Sequence, residues 1–129
     1  MSDTITLTIP RERPFHRVAH LVLGGLATRR NLTLEHLEDL QLALDELLDE
    51  GDGEVTVELR VEPGAILTTI GPFGGDLRAE LERERVDGSP ALSRVLGTVV
   101  DEFEVVDRGA RSWIELRKAV QEPETAGAE

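Results

Sequence analysis

The strongest constraint on the fold is one apolar stripe in the first half of the chain. Leucines recur there three and four residues apart, the spacing that places side chains on one face of an α-helix. The stripe consists of Leu34, Leu37, Leu40, Leu44, Leu47 and Leu48. Thr33, with Glu35 in the first turn, is typical of a helix N-cap. A helix with so wide an apolar face needs another layer to cover it.

Alternating segments supply that layer. Ile5, Leu7 and Ile9 alternate with threonines, and Val and Leu alternate with polar residues over 55–61. This period of two predicts half-buried strands. Pro63-Gly64 suits a type II turn, so 55–61 and 65–70 are expected to form a hairpin.

The remaining segments predict a first helix over roughly 14–30, a loop over 71–75 and a short helix after Asp76. A last apolar helix follows Ser89-Pro90, and a second hairpin covers 103–116. The order β-α-α-β-β-α-α-β-β predicts an α/β two-layer sandwich, a mostly antiparallel sheet covered on one face by helices.

We expect a single domain over residues 1–120 and a flexible acidic tail over 121–129. Gly24 and Gly25 interrupt the first helix at a cost of about 1 kcal/mol each relative to alanine. Close approach of another helix or of the sheet would explain them, and so would a bend.

Charge and composition exclude several classes of partner. The net charge is -12, from 26 acidic and 14 basic residues, so nucleic acid is not expected to bind. Cysteine is absent, which rules out disulfides and thiolate metal sites. The longest apolar stretch, from Val18 to Ala27, is far shorter than the roughly 20 residues that cross a bilayer. With no signal-peptide pattern at the N-terminus, the expected location is cytoplasmic.

Several segments, taken in order, resemble the anti-sigma factors of the serine-kinase type, which belong to the superfamily of gyrase, Hsp90 and histidine-kinase ATP-binding domains. The points of similarity are Phe15-His16-Arg17-Val18, the helix segment 37–46, and the segment 99–105 leading to 113–118. The resemblance spans about Thr4 to Lys118. It implies a histidine-kinase-like ATPase fold and a homodimer.

The family's second helix carries a Glu and, four residues on, an Asn that helps to hold Mg²⁺ against the phosphates of ATP. Glu46 falls on the Glu position, whereas Glu50 stands at the Asn position. A carboxylate of Glu50 is able to bind Mg²⁺ through oxygen, although it adds an anion beside a triphosphate. The alternative is a solvated acidic helix end, formed by both residues with Asp45 and Asp49.

The next family element, Asp-x-Gly-x-Gly, recognises adenine through its Asp. This chain has Gly71-Pro72-Phe73-Gly74-Gly75 there, without the Asp. The glycine-rich lid that holds phosphates corresponds to Asp87-Gly88-Ser89-Pro90, where Pro90 removes an amide donor. Any surviving nucleotide site would therefore consist of Glu46, Glu50, Gly71, Gly74 and Gly75. The changes predict that ATP binding is lost or weakened and that no cofactor is bound.

Basic and histidine residues near the first helix offer further candidates. Arg11, Arg13 and Arg17 form a basic cluster, and the resemblance places partner contacts on this helix, with Arg13 and Arg17 as the predicted binding residues. Charge balance on an acidic protein is the alternative. His16 and His20 have a spacing that can hold zinc, but no third ligand is evident, so a structural or exposed pair is favoured.

Three functional hypotheses follow from these residues and the resemblance. The first is a regulatory protein that binds a sigma factor, an anti-sigma antagonist or both by partner switching. The second is an active Mg-ATP-dependent serine kinase that uses Glu46 as its catalytic residue and phosphorylates the antagonist. The third is a domain that kept the fold and lost both roles.

Overall fold

The computed structural model describes residues 3–30, 32–48, 53–73 and 92–120. Its elements, in chain order, are β1 (Asp3–Pro10), a 3-10 turn (Arg13–Phe15), α1 (His16–Arg30), α2 (Leu34–Leu48), β2 (Glu54–Glu62), β3 (Ala65–Phe73), α3 (Leu92–Val99), β4 (Glu102–Arg108) and β5 (Arg111–Ala119). The short helix expected after Asp76 and the tail 121–129 lie outside the described residues.

The described strands form one antiparallel sheet with the order β1-β2-β3-β5-β4. Both predicted hairpins are present. Gly64 has a φ of 80°, the left-handed conformation that the third position of a type II turn requires. In this sheet β1 and β4 are the edge strands.

The prediction of a loop beginning at Gly71 is wrong for residues 71–73. Strand β3 continues through a register shift after Ile70, and Phe73 pairs with Ser112 of β5. The reason is tertiary: Phe73 is a buried member of the core, and its burial keeps the strand going beyond a Gly-Pro pair.

The helices cover one face of the sheet. Helix α2 packs between α1 and α3, and α3 contacts the edge strand β4, which places α1 on the β1 side. The opposite face carries polar and charged residues, including Thr6, Glu58 and Arg117. The predicted two-layer sandwich with one covered face is confirmed.

The leucine stripe of α2 forms the centre of the core. Leu40, Leu44, Leu47 and Leu48 are at most 1% exposed, whereas Leu34 departs from the stripe and is exposed. The sheet residues that line the same core are Ile9, Val55, Val57, Leu59, Ile66, Ile70, Phe73, Ile114 and Leu116. The predicted cap is present as well, because the N–H of His36 donates to Oγ1 of Thr33 at 3.0 Å.

Gly24 and Gly25 have a different environment from the one expected. A Cβ atom added at either glycine would find nothing within 4 Å. The interpretation that another helix or the sheet approaches them closely is therefore wrong among the described residues.

Lys118 ties the start of α2 to the sheet. Its Nζ donates to Oδ2 of Asp39 at 2.8 Å and to the carbonyl oxygen of Val99 at 2.9 Å. Its side chain is only 12% exposed. One cation thus joins α2, the end of α3 and β5.

We predict that Lys118→Met lowers the free energy of unfolding by about 1–3 kcal/mol, because both hydrogen bonds are lost and the Asp39 carboxylate keeps no cation there. Arg60→Met is the control, since the exposed Arg60–Glu62 ion pair is expected to contribute less than about 1 kcal/mol. Urea unfolding of both variants measures the difference. Equal losses would contradict the role given to Lys118.

Candidate functional site

The predicted nucleotide residues that the structure describes lie at one end of the sandwich. At this end β1 finishes, β2 begins and β3 finishes, as the pairing of Pro10 with Glu54 and of Thr56 with Gly71 shows. Helix α2 also ends here, with Glu46 in its last turn. We call it the Arg11 end. Glu46 and Gly71 are thus brought to the same end of the fold.

Three other predicted residues, Glu50, Gly74 and Gly75, lie outside the described residues. Glu46 is partly buried, and its side chain makes no hydrogen bond or ion pair with another described residue. Its roles as a catalytic and nucleotide-binding residue stay predictions.

Arg11 is buried at this end and holds its strands together. Its guanidinium donates to the carbonyl oxygens of Glu54 at 3.0 Å and Pro72 at 2.6 Å, and it lies 5.2 Å from the ring centroid of Phe73. Its backbone N–H donates to the carbonyl oxygen of Gly53. With 9% of its surface exposed, Arg11 is a structural residue. The sequence grouped Arg11 with Arg13 and Arg17, but its burial at the end of β3 separates it from these two exposed arginines.

Arg13 and Arg17 differ from Arg11 in exposure. Arg13 lies in the 3-10 turn and Arg17 in the first turn of α1, and both are exposed. The side chain of Arg17 makes no hydrogen bond or ion pair with another described residue. Their assignment to partner binding stays a prediction.

His16 and His20 face a carboxylate that belongs to α2. Nε2 of His20 lies 2.7 Å from Oδ1 of Asp45, and Nδ1 of His16 lies 3.9 Å from the same oxygen. Nε2 of His16 also lies 3.2 Å from the carbonyl oxygen of Arg11, at hydrogen-bonding distance. Sequence reasoning missed Asp45 as their partner because it stands 25 residues after His20 on another helix.

These contacts favour the structural interpretation of the histidine pair. Among the described residues, no three His, Asp or Glu side chains are grouped as a metal site requires. The two histidines instead join α1 to α2 through Asp45, which is therefore not simply a solvated acidic residue. Consecutive helix residues point about 100° apart, so Glu46 is directed away from this contact.

Gly71 has a neighbour that no sequence motif revealed. A Cβ atom added at this position would lie 2.5 Å from Cδ2 of Trp113, closer than real Cβ contacts allow. The guanidinium of Arg108 lies 4.4 Å from the centroid of the Trp113 ring and donates to the carboxylate of Glu58 at 3.3 Å. This stack holds the indole against the backbone of Gly71, on the uncovered face of the sheet.

The packing of Trp113 restricts position 71 to glycine. Any side chain there would meet the indole, so the position that carries the adenine-reading Asp in the family excludes an Asp unless Trp113 moves. At position 71 the chain therefore has no carboxylate for the base that the resemblance implies, and the packing of Trp113 leaves no room for one.

Comparison with known proteins shows sequence similarity to one group of bacterial proteins. No protein-family model matches the chain. It is 27% identical over 95 residues to the serine-protein kinase RsbW of Listeria innocua and, over the same length, to RsbW of Listeria monocytogenes. The chain is thus similar, at low identity, to the RsbW proteins. The resemblance to anti-sigma factors of the serine-kinase type is thereby confirmed.

The similarity is partial in extent. The match covers 67% of this chain, and the chain spans 60% of the length of these bacterial relatives. In the part of the chain that is described, no helix is long and apolar enough to span a lipid bilayer.

We predict that Gly71→Ala lowers the free energy of unfolding by about 1–3 kcal/mol, because the added methyl group would displace the Trp113 ring from its packing position. Gly97→Ala in α3 is the matched control, since a Cβ there meets nothing within 4 Å. It is expected to raise stability by up to about 1 kcal/mol through helix propensity. Urea unfolding with Trp113 fluorescence, from the single tryptophan, reports both. A neutral Gly71→Ala would argue against the stack.

Proposed function

We propose that the chain is a regulatory protein of the anti-sigma type, with ATP binding that is lost or weakened. It binds a sigma factor, an anti-sigma antagonist or both, and exchanges them by partner switching. It acts in the cytoplasm as a homodimer. The observation that carries the proposal is the packing of Trp113 on Gly71 in a chain related to the RsbW proteins.

Loss of nucleotide binding is supported by steric and electrostatic features together. The Trp113 ring excludes a side chain at position 71, and the sequence places Glu50 where the family has an Asn. A carboxylate there repels a triphosphate unless a cation lies between them. The Arg11 guanidinium, which lies at this end, is bonded to the carbonyl oxygens of Glu54 and Pro72.

Partner binding is supported by charge and exposure. Arg17 is an exposed cation at the start of α1 on a chain with a net charge of -12. Complementary charge sets the specificity and association rate of protein complexes more than their affinity. An exposed arginine is also a residue type that often contributes strongly to binding. A partner with an acidic group opposite Arg17 and basic groups elsewhere suits this surface.

A second candidate function is the active Mg-ATP-dependent serine kinase, with an anti-sigma antagonist as its substrate. The relatives are named serine-protein kinases. The resemblance matches Glu46, in the last turn of α2, with the family's Glu. The two functions differ in whether nucleotide binds.

We predict no change in melting temperature on addition of millimolar Mg-ATP, because position 71 has no carboxylate to accept a hydrogen bond from the amino group of adenine. A ligand at about 100 times its dissociation constant would stabilise the fold by ~2.7 kcal/mol. An RsbW relative, measured in parallel, is the positive control. A clear shift that Glu46→Gln abolishes would favour the kinase.

We predict that Arg17→Ala weakens binding to a purified sigma factor or antagonist of the same organism by about tenfold, which is about 1.4 kcal/mol. Arg94→Ala is the control, since Arg94 is an exposed arginine on α3. Isothermal titration calorimetry compares the two variants with the parent chain. The proposed function fails if neither partner binds the parent chain, and the role of Arg17 fails if both variants bind equally well.

A further inference from the structure

The uncovered face of the sheet carries a row of acidic residues. Glu58 of β2, Thr69 of β3, Glu115 of β5 and Glu104 of β4 follow one another from strand to strand in the pairing register. Neighbouring strands lie about 4.8 Å apart, so the four positions span roughly 14 Å. We call these four residues the acidic row.

The acidic row departs from a rule of strand pairing. Like charges that stand directly opposite each other on one face of an antiparallel pair are destabilising. Glu104 and Glu115 form such a pair, and neither side chain makes an ion pair with another described residue. Arg117, two positions along β5, is exposed and makes no ion pair with either carboxylate. The structure therefore places two opposed carboxylates together without a cation between them.

The other end of the acidic row shows how this face holds a guanidinium. Arg108 donates to both carboxylate oxygens of Glu58 at 3.3 Å, and its guanidinium lies 4.4 Å from the centroid of the Trp113 ring. A carboxylate and an aromatic ring thus hold one arginine together. Among the described residues, Glu104 and Glu115 have no arginine that bonds to them in this way.

Thr69 is a second, independent sign of a binding site. It is only 7% exposed, yet its side chain makes no hydrogen bond with another described residue. Buried polar side chains usually have a hydrogen-bond partner. Because Thr69 lies between Glu58 and Glu115 in the register, its side chain is directed to the uncovered face, into the acidic row. A cation beside Glu115 would bring an N–H donor to this hydroxyl.

A partly open pocket of about 140 Å³ lies beside the opposed carboxylates. It is lined by Leu67, Glu102, Phe103, Glu104, Glu115 and Arg117. Arginine and lysine side chains lay their apolar stems along apolar surface and keep the charged head among polar groups. A metal ion does not suit the pocket, because the described part of the chain holds no group of three His, Asp or Glu side chains that could bind one.

We propose that the acidic row and its pocket bind an arginine side chain of a partner protein, presented on an extended basic segment. The planar guanidinium has five N–H donors, so it is able to bond Glu104 and Glu115 together, as Arg108 bonds Glu58. A net charge of -12 favours a basic partner. The site lies on the face of the sheet away from the helices, and it requires neither a sigma factor nor an antagonist as the partner.

The first test is a titration of the parent chain with the blocked peptide Ala-Arg-Ala-Arg-Ala at low salt. The single tryptophan, Trp113, lies two residues before Glu115 on the same face, so its fluorescence reports binding there. A saturable change is expected with this peptide and none when glutamine replaces both arginines. No change with the arginine peptide would overturn the proposal. Calcium chloride that displaces the peptide and produces the same change would overturn the assignment to a protein partner.

A matched pair of double variants separates this site from general attraction to an acidic chain. Glu104→Gln with Glu115→Gln is expected to weaken peptide binding by about tenfold or more, because both carboxylates are lost. The melting temperature is expected to rise by about 1–4 °C, because the opposed charges are removed. Glu35→Gln with Glu38→Gln makes the same charge change on exposed residues of α2 and is expected to alter binding by less than about twofold. Equal binding by the two double variants would overturn the site.

The hydroxyl of Thr69 is tested separately. Thr69→Val keeps the shape of the side chain and is expected to weaken peptide binding by about threefold or more. Thr6→Val, on an exposed residue of the same face, is the control and is expected to bind as the parent does. Equal binding by both variants would contradict the role of Thr69. None of these results bears on the proposed regulatory function, which the titrations of Arg17→Ala with purified partners measure separately.

Discussion

The structure depends on the burial of α2. This helix packs between α1 and α3 and lies on the sheet, and its inward-facing leucines are almost completely inaccessible to water. Burial of one leucine side chain is worth about 1.5–3 kcal/mol, so the stripe supplies a large share of the core's stabilisation. The strands must present an apolar face to it, which they do by alternating core residues with polar ones. Only one face of the sheet can be covered in this way.

The same helix connects the fold to the site. Helix α2 ends at the Arg11 end of the sandwich, so Glu46 lies at the end of the fold where β3 finishes, and Asp45 lies beside His20. Two side chains pack against the end of β3. Arg11 bonds to the carbonyl oxygen of Pro72 from one side, and Trp113 covers Gly71 on the uncovered face. In the family that this chain resembles, the corresponding segment recognises the adenine base of ATP. Here Arg11 and Trp113 pack against that segment instead, which is why we favour binding of a protein partner as the function.

Local patterns predicted most elements because each depends on neighbours in sequence. The Thr33 cap, the Pro63-Gly64 turn and the alternation of β1 all act within a few residues, and the structure confirms them. The errors concern contacts between distant residues. The sequence grouped Arg11 with Arg13 and Arg17, although the fold buries Arg11 against the ring of Phe73, 62 residues later in the sequence. The loop predicted at Gly71 failed for the same reason, since burial of Phe73 extends the strand.

The sequence by itself determined the two-layer architecture, the negative surface and the departures from the family's nucleotide motifs, because periodicity, charge and motif residues can be read without coordinates. Only the tertiary structure decided that Trp113 fills the space beside Gly71, that Asp45 joins the two histidines to α2, and that Thr69 lies beside Glu115 on the uncovered face of the sheet. These contacts join residues that lie 25 or more positions apart in the chain. The folding of the whole domain, and not the local sequence, brings them together.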